Sequence, residues 1–471
     1  KTFILDPGHV DLYKEIGGNF IREYQHEFGP AHYYLADTFN EMKVPVRAGH
    51  RDEDLARFSR TVYEGILAGD PDGVWVMQGW LFRNDQKFWV PASVKAFLAS
   101  VPNDRMVILD YSSDVTAKSK TAAEDPTAHN IWKEDGAYFG KQWTNGMAHT
   151  FGGNNNVKGN LALIAAQPAA VLKSPDKGNL RGWSMCPEGI ETNEVVYELM
   201  TDIGWSGTEI QPEIWIVGYC RSRYGKCPAA MKEAWSLLLR SAYSAGNWHS
   251  YQAWQARPSM HPSSLAVDSG PAFQKAVDLF LSCSDQLGRN ELYRNDLIEL
   301  VAQAVGGSID QHLMDACDAH KSGDAKMRDQ KASESLAMLI RIDSLMNVRP
   351  DRRLETWTEA ARSWGTAPDI QAYYDINSRR LITYWGWIGL NDYATRVWSG
   401  LIRDYYVGRW KLFFQALREN KEPDFRIWPE TWLSTSYVPS RPGQVDDVAA
   451  ESRSMLATCR TWASSPVKGK S

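Results

Sequence analysis

Short apolar runs alternate with stretches of helical periodicity between residues 1 and about 205, and this alternation restricts the fold more than any other feature of the chain. The runs are Tyr33 to Asp37, Val74 to Gln78, Met106 to Asp110, Trp143 to His149 and Trp183 to Met185. Amphipathic segments accompany them at Asp54 to Leu67, Ser93 to Val101 and Asn193 to Ile203. A strand followed by a helix, repeated, predicts parallel βα units. Each run ends in polar or aromatic residues at its C-terminal side: Asn40 and Glu41, Gln78 and Trp80, Asp110 and Tyr111, His149 and Asn154, and Glu188. In an α/β fold of the (β/α)8 TIM-barrel type those ends share one rim, where active sites sit. Five runs do not close eight strands, so the remaining three are expected upstream of Lys1 or on another chain.

Past Tyr197 the strand signals fade. Met231 to Ala245, Pro271 to Leu287, Asn290 to Val305, Ala332 to Ser344 and Ala394 to Asn420 carry apolar residues at three- and four-residue spacing, which predicts helices. The expected organisation is a partial catalytic barrel over 1–205 and a mainly α-helical C-terminal domain over 206–471. Prolines at 258, 262 and 271 mark a loop around Ser259 to Gly270, and Pro423 to Pro442 reads as irregular wrapping structure.

Composition removes several function classes. A net charge of -5, with only three basic residues even in Arg221 to Lys226, argues against nucleic acid as a partner. The longest apolar run, Leu161 to Leu172, is broken by Gln167 and Pro168 and is too short for a bilayer span. The chain starts at Lys1 without a signal-like segment, so a leader is expected to have been removed or the start to lie further upstream. No CxxC or HExxH spacing points to a metal, and no cofactor is expected. Cys220 and Cys227 either bridge locally or are buried thiols. The 20 Trp and 20 Tyr supply flat faces of the kind that pack on sugar rings, against the plainer reading of core packing.

Glycosidic hydrolysis needs one carboxylic acid to protonate the leaving oxygen and a second carboxylate at the anomeric carbon. Glu41 and Glu188 are the best such pair, because each closely follows a predicted strand. Glu41 has Asn40 beside it, and an amide there suits a sugar substituent. The plainer reading is that Glu41 starts or caps a helix. Glu188 precedes Gly189, which permits a tight turn. Glu191, Glu194 and Glu198 compete with it, although Glu194 and Glu198, four apart, fit a structural helix face. His149 alone, without a Ser or Cys motif, reads as a structural histidine, and Asp110 either orients substrate or caps the rim.

Several blocks together resemble family 89 of the glycoside hydrolases, the α-N-acetylglucosaminidases. They are Asp37 to Met42, Gln78 to Phe82, His149 to Asn154, Pro187 to Tyr197, Tyr224-Gly225, Tyr384 to Gly386 and Asp392 to Ala394, in order along most of the chain. The resemblance implies a retaining double displacement on terminal α-linked N-acetylglucosamine, with Glu41 as acid/base and Glu188 as nucleophile. It also implies a sugar pocket lined by Trp80, Trp385 and Tyr393, with Asn40 beside the acid/base and His149 in a pocket-forming block. The family pattern extends well upstream of Lys1, and 110–149 is longer here than that pattern. A lysosomal or exported location is implied as well, and self-association stays open. Two alternatives stand beside this reading: a retaining exo-glycosidase for another α-hexose, and a carbohydrate-binding scaffold without turnover.

Overall fold

The computed structural model describes residues 10–111, 131–189, 191–244, 249–383, 385, 392–422, 425, 427–434 and 437–464. Five strands, β1 (Tyr33–Leu35), β2 (Val74–Gln78), β3 (Met106–Asp110), β4 (Gln142–Met147) and β5 (Leu180–Met185), form one sheet in sequence order. Every neighbouring pair is parallel, with Tyr33 opposite Val74 and Ile108 opposite Trp143. Parallel neighbours need long crossovers, and helices supply them. Helix α1 (Val10–Phe28) precedes β1, and α2 (Arg51–Leu67) joins β1 to β2. This is the expected barrel-type βα succession.

Two compact units emerge. A sheet unit takes 1–149, 163–186 and 200–210, and a helical unit takes 150–162, 187–199 and 211–471. The sheet unit's core is aromatic. Trp75, Phe97, Phe82 and Trp89 meet edge to face, Tyr138 packs edge-on to Trp143, and Trp132 stacks on Trp143 at 5.2 Å. Buried flat rings at these separations add attraction beyond the area they hide.

The sheet's edge is different. Tyr33 and Leu35 of β1 are 67% and 63% exposed, unusual for a parallel strand. On α1 a second apolar stripe, Leu12, Ile16, Phe20, Tyr24 and Phe28, recurs every fourth residue and faces outward. A cavity of about 400 Å³ lies among Tyr13, Phe20, Tyr24, Tyr33 and Leu35.

In the helical unit the Phe280 and Tyr293 rings stack at 5.0 Å, and the long helices Glu291–Lys321 and Ala325–Met346 pack side by side. Glu194 lies within 4.0 Å of the guanidinium groups of Arg223, Arg349 and Arg352, the structural role its spacing favoured. Among the described residues no helix is long and apolar enough to cross a membrane. All six cysteines are free thiols, and Cys220 and Cys227 are hydrogen-bonded neighbours rather than a bridge.

Three expectations change. The segment 394–400 is not helical; regular structure starts with a π-turn at Ile402–Tyr406 and continues as the helix Val407–Arg418. The reason is competition. Asn155 accepts from the Val397 N–H at 2.7 Å and donates to its carbonyl at 3.5 Å, claiming groups a helix would need. Second, no helix begins at Glu41, which sits in a turn with φ 53°, so the helix-cap reading falls. Third, a helix at Ile427–Ser434 interrupts the stretch read as irregular. Residues 1–9, 112–130, 190, 245–248, 384, 386–391, 423, 424, 426, 435, 436 and 465–471, parts of segments named above, lie outside the described residues.

Candidate active site

The two candidate carboxylates belong to different units, Glu41 to the sheet unit and Glu188 to the helical unit. Each has its own support.

In the sheet unit, the chain leaves β1 through Asp37 and turns at Phe39 to Met42, where Phe39 and Glu41 both take positive φ. Non-glycine residues there are uncommon and carry strain of roughly 1 kcal/mol or more. Trp80, at the start of the short helix following β2, donates its indole N–H to Glu41 Oε1 at 2.8 Å. Trp80 also stacks on Tyr111 at 6.4 Å, with the planes 16° apart. The Tyr111 hydroxyl donates to Gln78 Oε1, and Gln78 donates to Asp37 through its side chain at 2.6 Å and its backbone N–H at 3.2 Å. Residues just past three successive strands are thus tied together around Glu41. Burial pushes the Asp37 carboxyl above its ordinary range, opposed by the Gln78 N–H. Asn40 and Glu41 are exposed.

Asp110, the last residue of β3, is buried and accepts from the Tyr138 hydroxyl at 2.8 Å. Nearby Asp135 is pushed up to about 7, first by burial and then by the charges of Glu134 and Asp110. His149 is 1% exposed with φ 59°, and so lies inside rather than on a surface.

In the helical unit, Glu188 is exposed and its Oε2 receives two donors, the Gly152 N–H and the Tyr393 hydroxyl, the latter at 2.8 Å. Only glycine suits that loop. Gly152 has φ 65°, and a Cβ there would run into the Tyr393 carbonyl oxygen. Gly152 thus combines a backbone that glycine adopts freely with an N–H aimed at Glu188. Tyr393 packs against Trp385, ring to ring at 5.7 Å, and against His249 at 5.2 Å. Trp385 has φ 69°.

Three consecutive buried asparagines hold this region. Asn154 donates to the carbonyls of Tyr393 at 3.1 Å and Thr395 at 3.2 Å while accepting from the Ser250 N–H. Asn155 grips Val397 as described, and Asn156 donates to Gln255 at 3.0 Å. The side chains of Asn154 and Asn155 substitute for a backbone ladder, so the 392–397 segment is held without regular secondary structure. Arg396 donates to the Gly152 carbonyl from the opposite side. Neither Arg396 nor His249 was visible as a candidate, because a single residue hundreds of positions from its partners leaves no local pattern.

A unit built on parallel βα strands and a helical unit, each carrying one candidate glutamate, make this a two-part α/β protein. The family model described as the alpha-N-acetylglucosaminidase (NAGLU) tim-barrel domain matches residues 1–207, and that of the alpha-N-acetylglucosaminidase C-terminal domain matches 215–437. The chain belongs to the α-N-acetylglucosaminidase family, glycoside hydrolase family 89. Human α-N-acetylglucosaminidase is 32% identical over 425 residues, covering 88% of this chain and 54% of the human protein. A family 89 glycoside hydrolase from Clostridium perfringens, solved with 2-acetamido-1,2-dideoxynojirmycin and with PUGNAc, matches at TM-score 0.80 and 20% identity. A double glutamate-to-glutamine variant of the C. perfringens enzyme, bound to its substrate GlcNAc-α-1,4-galactose, matches at TM-score 0.78 and 21% identity. These structures cover 97% of this chain, which spans about half the length of the relatives it matches.

Proposed function

We propose that the protein is a retaining exo-glycosidase that removes terminal α-linked N-acetylglucosamine from carbohydrate chains, with Glu41 as acid/base and Glu188 as nucleophile. The observation that carries this reading is the Glu188 carboxylate held by the Gly152 N–H and the Tyr393 hydroxyl. Both donors fall on Oε2, which leaves Oε1 to attack. On the other side, Trp80 occupies Glu41 Oε1, which leaves Oε2 to carry the transferable proton.

The stereochemistry of the substrate calls for such a nucleophile. In an α-linked N-acetylglucosaminide the 2-acetamido group lies on the same face as the leaving oxygen and cannot attack from behind, so a protein carboxylate takes that part. Glu41 protonates the glycosidic oxygen as the C1–O bond breaks, and Glu188 bonds to C1 with inversion. Glu41 then takes a proton from water, whose oxygen bonds to C1 while the ester electron pair returns to Glu188. Two inversions give net retention, which requires the two carboxyl groups about 5 Å apart in the active protein. Trp80, Trp385 and Tyr393 line the pocket in this reading, Asn40 holds a sugar substituent, and buried His149 shapes the floor.

The exposed edge of β1 and the outer stripe of α1 are proposed to receive further barrel segments, upstream or on another chain, because among the described residues no strand pairs with that edge and nothing covers that stripe. A lysosomal or exported location fits the same reading. Proton NMR of the first sugar released from an aryl α-N-acetylglucosaminide tests the proposal. The α-anomer is expected first, and β-anomer first overturns the mechanism. Faster cleavage of the plain α-glucoside would transfer the protein to another hexose, and binding without turnover in material of natural length would make it a scaffold.

A further inference from the structure

Arg396 is 5% exposed, and among the described residues its guanidinium makes no ion pair. Backbone carbonyls satisfy it instead: Nη1 donates to Gly152, to Ala394 at 2.9 Å and to Thr395 at 3.4 Å. Nη2 reaches in beside Gly153 and Gly189, where a Cβ at Gly189 would lie 3.2 Å from it. One cation thus joins the loop that caps Glu188, the turn that carries Glu188 and the segment that carries Tyr393. A buried charge without a counter-ion in contact is costly, and its retention calls for a purpose. Burial drags the guanidinium down to about 10, and the nearby negative charges of Glu191 and Glu188 oppose that fall.

We infer that Arg396 is a positioning residue for the Glu188 carboxylate, fixing the Gly152 N–H against Oε2 and setting a positive charge behind it. The inference rests on the proposed role of Glu188 and deepens it. During the second displacement the C1–O ester bond breaks and its electron pair returns to Glu188; a fixed cation behind that oxygen favours the departure. Within the helical unit, the titratable and charged groups around Arg396 and this carboxylate include Glu191 on the same turn, Tyr406, Arg352, Tyr393, and His249 against the Tyr393 ring, with Lys158 and Asp392 beside that histidine.

The test compares Arg396→Met and Arg396→Lys in the protein at its natural length, using an aryl α-N-acetylglucosaminide across pH and thermal melting as a check on folding. Arg396→Met should lower kcat roughly 100-fold and move the acidic limb of kcat/KM upward by about one pH unit. Arg396→Lys keeps the charge but spans the carbonyls poorly, so its limb should stay near that of the parent while kcat remains reduced. An unmoved limb in Arg396→Met, or two variants that behave alike, reduces Arg396 to packing. If Arg396→Met does not fold, Arg396→Gln, which keeps amide donors without charge, is read in its place by the same criteria. Full turnover in Glu188→Ala would instead sink the nucleophile reading itself, whatever the Arg396 variants do.

Discussion

Gly152→Ala places a methyl group where the Tyr393 carbonyl oxygen already lies, and does so at a residue whose φ is 65°. The left-handed backbone costs alanine about 1–2 kcal/mol. Relieving the collision means moving the loop, which lengthens the Gly152 N–H contact to Glu188, a hydrogen bond to a charged acceptor worth about 1.5–3 kcal/mol. Together the expected cost is about 3–5 kcal/mol in the helical unit. Gly225→Ala is the matched control: Gly225 ends the helix Pro212–Tyr224 with φ 81° and its Cβ would meet nothing within 4 Å, so it pays the backbone share alone. Urea unfolding followed by tryptophan fluorescence separates the two, and kcat/KM should fall 10- to 100-fold in Gly152→Ala only. Equal urea midpoints for both variants would refute the reasoning, because the carbonyl contact and the Glu188 bond would then carry no weight.

Other perturbations have equally definite outcomes. Tyr393→Phe removes one of two donors from Glu188 while leaving the ring contacts with Trp385 and His249, so kcat should drop about 10- to 100-fold with a smaller change in KM; unchanged kcat would show that the hydroxyl does nothing there. Asn155→Leu leaves both backbone groups of Val397 without their partner, and a loss of about 2–4 kcal/mol is expected by chemical denaturation; a loss under about 0.5 kcal/mol would contradict the asparagine account. Stability should also fall as pH rises. Asp135 and Asp310 are both pushed up to about 7, chiefly by burial, so the fold holds their protons more tightly than the unfolded chain does. Their contribution is full below about pH 4 and is lost as pH climbs through 7, by about 2–4 kcal/mol for each. Melting temperatures should therefore be higher near pH 5 than pH 8, and Asp135→Asn should flatten the profile; a profile unchanged by that substitution would contradict this origin.

How much of this was written in the sequence differs from element to element. β2 and β3 were legible to the residue, since each is a compact apolar run bounded by polar or turn residues. α1 was not, because its apolar residues form two stripes, one packed inward and one facing out, which blurs a single-face pattern. Helices were delimited to within a few residues where one face alone is apolar, as at Pro271–Ser282. The 394–400 segment defeated the periodicity because side chains from 154 and 155 claim its backbone, and such long-range competition leaves no local trace. Of the candidate site, Glu41 and Glu188 were named from their places after predicted strands and Trp80, Trp385 and Tyr393 from the family resemblance, and each makes a side-chain contact in the structure. Arg396 and the Gly152 N–H were missed for one reason: a backbone donor and a lone buried arginine carry no composition or spacing signal.

Azide rescue of Glu188→Ala tests the central claim most directly. With an activated aryl α-N-acetylglucosaminide the variant should be nearly inactive, and added azide should restore turnover by yielding the β-configured glycosyl azide, since the small anion enters from the face that Glu188 vacates. Hydrolysis that survives the substitution without azide, or rescue that yields the α-configured azide, would contradict the account.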